Sequence, residues 1–153
     1  MHMTLLVVAV ATLLAQGAGS AGVHVWKSGE ILAKGKALGT KLDAQKAASE
    51  VIATEGNRTF MIAHREGSGV AEWHEKQADV ITIASGEVTM VYGGTIVDGK
   101  TTAPGEIRGP SIKGGTEVKL AAGDVLHIPA KVAHQMLLAA GAQLTYFVTK
   151  VVE

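Results

Sequence analysis

The chain has 153 residues, no cysteine, and 14 basic residues against 14 acidic ones. Without cysteine there is no disulfide framework, no thiolate nucleophile and no Cys-based zinc site. Balanced and thinly spread charge argues against a nucleic-acid binder, which needs a basic stripe to neutralise phosphates, and the length suits one domain.

In chain order, the first feature is an apolar run from Thr4 to Ala15, with no Lys, Arg, Asp or Glu before Lys27. It is too short to cross a bilayer as a helix, which takes about 20 apolar residues. It fits the apolar region of a secretory signal peptide over residues 1–21, with Gly19 and Ala21 as small residues for cleavage. His2 stands where Lys or Arg is expected, and the alternative is a buried N-terminal strand or helix. The signal reading predicts a periplasmic or extracellular protein with no membrane attachment once the leader is gone. Absence of cysteine also removes a lipoprotein anchor.

The remaining residues, 22–153, are predicted to form one all-β domain with a short N-terminal helix. SGEILAKGKAL reads as that helix, with Ser28 as N-cap, Glu30 in the first turn and an end near Gly39. SEVIAT and RTFMIAHR flank Glu55-Gly56-Asn57 as a hairpin. DVITIAS and EVTMVYG, joined through Ser85-Gly86, alternate apolar and polar residues as half-buried strands do. TEVKLA, DVLHIP, HQMLLA and AQLTYFVTKV follow, each bounded by Gly or Pro. Short strands at this spacing predict a sandwich or barrel. Residues 99–115 break the rhythm with two prolines, several glycines and no periodicity, and read as a long irregular loop able to cover a barrel mouth. Arg108 within it is read as a solvated surface arginine ahead of a group facing an anionic ligand.

The chemistry concentrates in EWHEKQAD and GDVLHIPAKVAHQ. Glu72 and His74, two apart in a strand, leave the same face with Cα atoms about 6.5–7 Å apart, and Glu75 points away. Asp79 opens the next strand, where a hairpin partner would bring a carboxylate back over that face. His134 opens a later strand after the Pro129 turn. Imidazole and carboxylate are ligands for zinc, manganese and ferrous iron. His127 and His64 are read as structural histidines, and Asn57-Arg58-Thr59 matches a glycosylation sequon.

These two stretches resemble the paired motifs of the cupin superfamily. The first family motif reads H-x-H, three or four residues, E, six residues, G; here it is Glu72-x-His74, four residues, Asp79, six residues, Gly86. The second reads G, five residues, P-x-G, two residues, H, three residues, N; here it is Gly123, five residues, Pro129-x-Lys131, two residues, His134, three residues, Leu138. The resemblance implies a jelly-roll β-barrel, a divalent metal held by Glu72, His74, Asp79 and His134, and pairing of chains as a homodimer. It also implies a range of activities on small molecules, from oxygenation and decarboxylation to isomerisation, beside non-catalytic sugar or organic-acid binding. Fold does not choose among them.

Glu72 and Asp79 replace a His and a Glu of the family set, so this set leaves a divalent ion neutral where three His and one Glu leave it at +1. A neutral site favours the harder manganese or iron, with zinc also accepted. Without metal, two carboxylates this close should repel, and one should titrate with a raised pKa. Lys131 stands where the family has glycine, at a turn position that costs about 1 kcal/mol if φ is positive there.

Overall fold

A computed structural model describes residues 22–153. The expected leader, residues 1–21, lies outside the described residues. Among the described residues no helix is long and apolar enough to cross a membrane.

Helix α1 spans Ser28–Leu38. Thirteen strands follow: β1 (Ala47–Glu55), β2 (Arg58–Arg65), β3 (Ala71–His74), β4 (Gln77–Ser85), β5 (Glu87–Tyr92), β6 (Thr95–Val97), β7 (Lys100–Ala103), β8 (Glu106–Gly109), β9 (Ser111–Lys113), β10 (Thr116–Ala121), β11 (Val125–Ile128), β12 (His134–Leu137) and β13 (Leu144–Val152). They form a five-stranded sheet in the order β1-β2-β13-β4-β11, a six-stranded sheet in the order β10-β5-β12-β3-β8-β7, and a small β6-β9 ribbon. Every paired strand is antiparallel. Period-2 alternation turns one face of each large sheet inward, where Ile81, Ile83, Val88, Met90, Leu120, Ile128, Met136, Leu144 and Val148 fill one core.

Helix α1 lies on the outer face of the five-stranded sheet. Gly35 is buried there, and a Cβ added to it would collide with the side chain of Thr145 on β13. The helix is capped by Lys27 rather than Ser28, and Glu30 accepts the Lys27 amide at 3.2 Å. Just before it, Trp26 packs on Phe60 and Phe147 with ring centroids 5.0 and 5.2 Å away. The helix and Trp26 thus cover an apolar face that would otherwise meet water.

Two expectations change. Residues 99–115 are not an irregular loop: they contain β7, β8 and β9, and β8 pairs with β3. Strands of three or four residues are too short for alternation to register in sequence, and long-range pairing supplies their order. Nor do β3 and β4 form a hairpin. They belong to opposite sheets, so Asp79 meets Glu72 and His74 across the barrel. At the next crossing, β4 to β5, Gly86 has φ +87° and sits so close to the Gln143 carbonyl that no side chain fits.

Candidate metal centre

Strand register assembles the site. On the six-stranded sheet, Glu72 stands opposite both His134 of β12 and Arg108 of β8, and His74 stands opposite Glu106. On the facing sheet, Asp79 of β4 stands opposite Lys150 of β13. Directly opposed residues have Cβ atoms about 4.5–5.5 Å apart, so each pair is close enough to bond.

The bonds follow that register. Arg108 forms an ion pair with Glu72 and lies 3.4 Å from Glu106. Lys150 donates to both oxygens of Asp79, at 2.9 and 3.0 Å. Glu106 accepts from His74 Nδ1 at 2.6 Å, and the Val132 carbonyl accepts from His134 Nδ1 at 3.1 Å. With both Nδ1 atoms acting as donors, each Nε2 keeps a free lone pair in the neutral ring.

Those two Nε2 atoms converge. From His74 Nε2, Glu72 Oε2 is 3.6 Å and Asp79 Oδ2 is 3.7 Å away; from His134 Nε2 the distances are 3.9 and 3.6 Å. Single ligand atoms of Glu72, His74 and His134 all lie within 4.8 Å of one another. His74 is 3% exposed, and its Nε2 is buried with no hydrogen-bond partner. A buried polar atom left unpaired is costly. A tetrahedral divalent ion with bonds of about 2.0–2.2 Å holds its ligand atoms roughly 3.3–3.6 Å apart, an inward step from these distances. The donor set therefore fits a metal: two imidazoles with their outer nitrogens fixed, and one carboxylate.

Electrostatics separates the members. Burial opposes a charge on His74, but the carboxylates of Asp79 and Glu106 outweigh it and raise the pKa above 6.5. Burial lowers the pKa of His134, only partly offset by the Val132 carbonyl and the carboxylates of Glu72 and Asp79. Burial would raise the pKa of Asp79, but His74 and Lys150 prevail and it falls below 3.8. The repulsion expected between Glu72 and Asp79 therefore does not raise Asp79. Each carboxylate has its own cation, which the sequence did not disclose.

All four residues singled out in sequence come to one place: Glu72, His74 and His134 as a convergent group, with Asp79 beside them on the Lys150 ammonium. Glu75 is exposed beside Gly105. His127 is exposed, while His64 is buried on the helix-facing side of the sheet, bonded to Thr145 at 2.9 Å. Arg108 is not a solvated surface arginine but half-buried against Glu72. Sequence reasoning missed Glu106 and Lys150, because only pairing across strands brings them here.

No protein-family model and no curated protein matches the chain. Solved structures do. A cupin-2 domain from Rhodospirillum rubrum superposes with TM-score 0.52 at 15% identity, over 71% of this chain and 62% of that one. A cupin 2 conserved barrel domain protein from Rhodopseudomonas palustris gives 0.51 at 16%, over 70% and 61%. A sugar phosphate isomerase of the cupin superfamily from Silicibacter pomeroyi gives 0.50 at 16%, over 71% and 60%. The chain thus spans about three fifths of each. These likenesses establish the fold: the chain has the cupin jelly-roll fold, and in its own barrel Glu72, His74 and His134 converge as a group that could hold a metal ion.

Proposed function

We propose that this protein is a divalent-metal cupin that takes a small, oxygen-rich molecule into its barrel. The observation that carries the reading is His74 Nε2, buried, unpartnered and aimed at Glu72 Oε2 and His134 Nε2. Glu72, His74 and His134 would hold the ion, with Asp79 in reach as a fourth ligand. Oxygen and imidazole donors favour manganese or iron and accept zinc. When bound, the ion would supply Lewis-acid polarisation of a substrate oxygen or exchange of electrons.

The chain's own groups orient and neutralise. Glu106 and the Val132 carbonyl fix the two imidazoles in the tautomer that presents Nε2. Arg108 leaves Glu72 Oε2 directed at the histidines while it binds the other oxygen. The cavity of about 320 Å³ opens on Glu72, Asp79, Arg108 and His134 and admits only a small molecule. Reaction types compatible with this reading are oxygenation, decarboxylation and isomerisation. The apolar segment Thr4–Ala15 supports export, so the same reading places the protein in the periplasm or outside the cell.

One observation favours a second reading, a non-catalytic barrel that binds a sugar or organic acid without metal. Lys150 and Arg108 already neutralise Asp79 and Glu72. Metal content separates the two. Plasma mass spectrometry of wild type, His74→Ala and His134→Ala should show near-stoichiometric manganese, iron or zinc in the first and loss in both variants. Absence of metal from wild type after reconstitution with each ion would leave the binding barrel.

A further inference from the structure

The cavity contains a charge that the metal reading does not use. On β2, Met61, Ala63 and Arg65 alternate toward the cavity, as strand periodicity requires. Arg65 is only 9% exposed. The other cations on the cavity wall are matched, Arg108 by Glu72 and Lys150 by Asp79. Arg65 donates to the Gly67 carbonyl at 3.3 Å, and among the described residues no carboxylate forms an ion pair with it. Asp43, the remaining acid on the wall, spends its Oδ1 on the amides of Gln45 and Ala47 at 2.8 and 3.0 Å. A guanidinium withdrawn from water without an anion is costly, and an anionic ligand would relieve that cost.

The surroundings hold this group in place. A Cβ at Gly69 would lie 2.9 Å from Arg65 Nη1 and 3.1 Å from Cζ, so the missing side chain is what leaves room for the guanidinium. Gly69 is itself tied down. Its amide donates to the Met136 carbonyl at 2.8 Å, and its carbonyl accepts from Gln135 at 2.9 Å. Tyr146 of β13 lines the same wall, opposite Ala63 and so diagonal to Arg65 across the β2–β13 pairing. A guanidinium and a phenol hydroxyl on one wall are both donors of the kind that carboxylate oxygens accept from.

We infer that Arg65 and Tyr146 form a carboxylate subsite, so that the cavity takes a small organic acid whose opposite end faces Glu72 and His134. The inference rests on the small-molecule reading of this cavity and is independent of whether the metal is bound.

The test uses metal-free full-length protein, so that chelation does not enter. Acetate, pyruvate, malonate, succinate, inorganic phosphate and glucose are titrated calorimetrically into wild type, Arg65→Gln and Tyr146→Phe. At least one carboxylate should bind wild type and weaken about 10- to 100-fold in Arg65→Gln, the loss expected when a charged hydrogen-bond donor is removed. Tyr146→Phe conserves packing and should weaken the same acid, so it carries the test if Arg65→Gln does not fold. Three results overturn the proposal: no carboxylate binds, phosphate or glucose binds more tightly than every carboxylate, or affinity is unchanged in the variants that fold. Metal content measured in parallel keeps the two ideas apart. Carboxylate binding that depends on Arg65 in a protein that never takes up metal removes the metal centre and leaves this subsite standing.

Discussion

His74 depends on a residue that does not touch the proposed ion. Glu106 holds Nδ1 at 2.6 Å and so fixes which nitrogen faces the site. With Glu106→Ala, the ring gains a second tautomer and orientation. Metal affinity should then fall about 10- to 100-fold, read by competition titration against a chelator, with the fold retained by circular dichroism. Asp79 is a different case, because its partner acts on stability. It is 4% exposed and receives two bonds from Lys150. Lys150→Met leaves that carboxylate with only its histidine neighbours and should cost about 1–3 kcal/mol in urea denaturation. Lys150→Met combined with Asp79→Asn should recover much of the loss, because no buried charge is then left unpaired.

At the scale of elements, close packing decides more than propensity. Gly35 sits in the middle of α1, where Ala would ordinarily gain about 1 kcal/mol. Here a Cβ would press into Thr145, which is 3% exposed and bonded to His64, so it has little freedom to move. Gly35→Ala should therefore destabilise the protein by about 1–3 kcal/mol, seen as a lower melting temperature. Lys131 shows the converse, a residue accepted where glycine suits the backbone: its φ is +65°, so the cost of about 1 kcal/mol attached to a positive φ at this turn applies. Its amide bonds the His74 carbonyl at 2.7 Å, which ties that strained turn to the site strand.

Over the whole molecule, the opposed shifts of the two histidines set the pH response. His74 has a raised pKa, so its contribution to stability is complete below 6.5 and is lost as pH rises through the higher folded value. His134 has a lowered pKa, so its contribution is present above 6.5 and is lost as pH falls through the lower folded value. Asp79 adds stability above 3.8 that disappears on further acidification through its depressed value. Titration of the metal-free protein followed by imidazole NMR signals should place His74 above and His134 below 6.5. Because His74 must lose a proton to become a ligand, metal affinity should begin to decline with falling pH while still above 6.5.

The sequence by itself determined the helix Ser28–Leu38, the hairpin around Gly56, the alternating strands on either side of Gly86, and the four polar residues of the two motifs. Those features are local: hydrophobic period, turn chemistry and spacing are written within a few residues of each other. Only the tertiary structure decided that Asp79 faces the histidines from the opposite sheet, that Lys150 and Arg108 neutralise the two carboxylates, and that Glu106 orients His74. Asp79 and Lys150 are 71 residues apart, and His74 and Glu106 are 32 apart. Strand register joins them, and register is set by which faces the core can bury once two sheets close on one another.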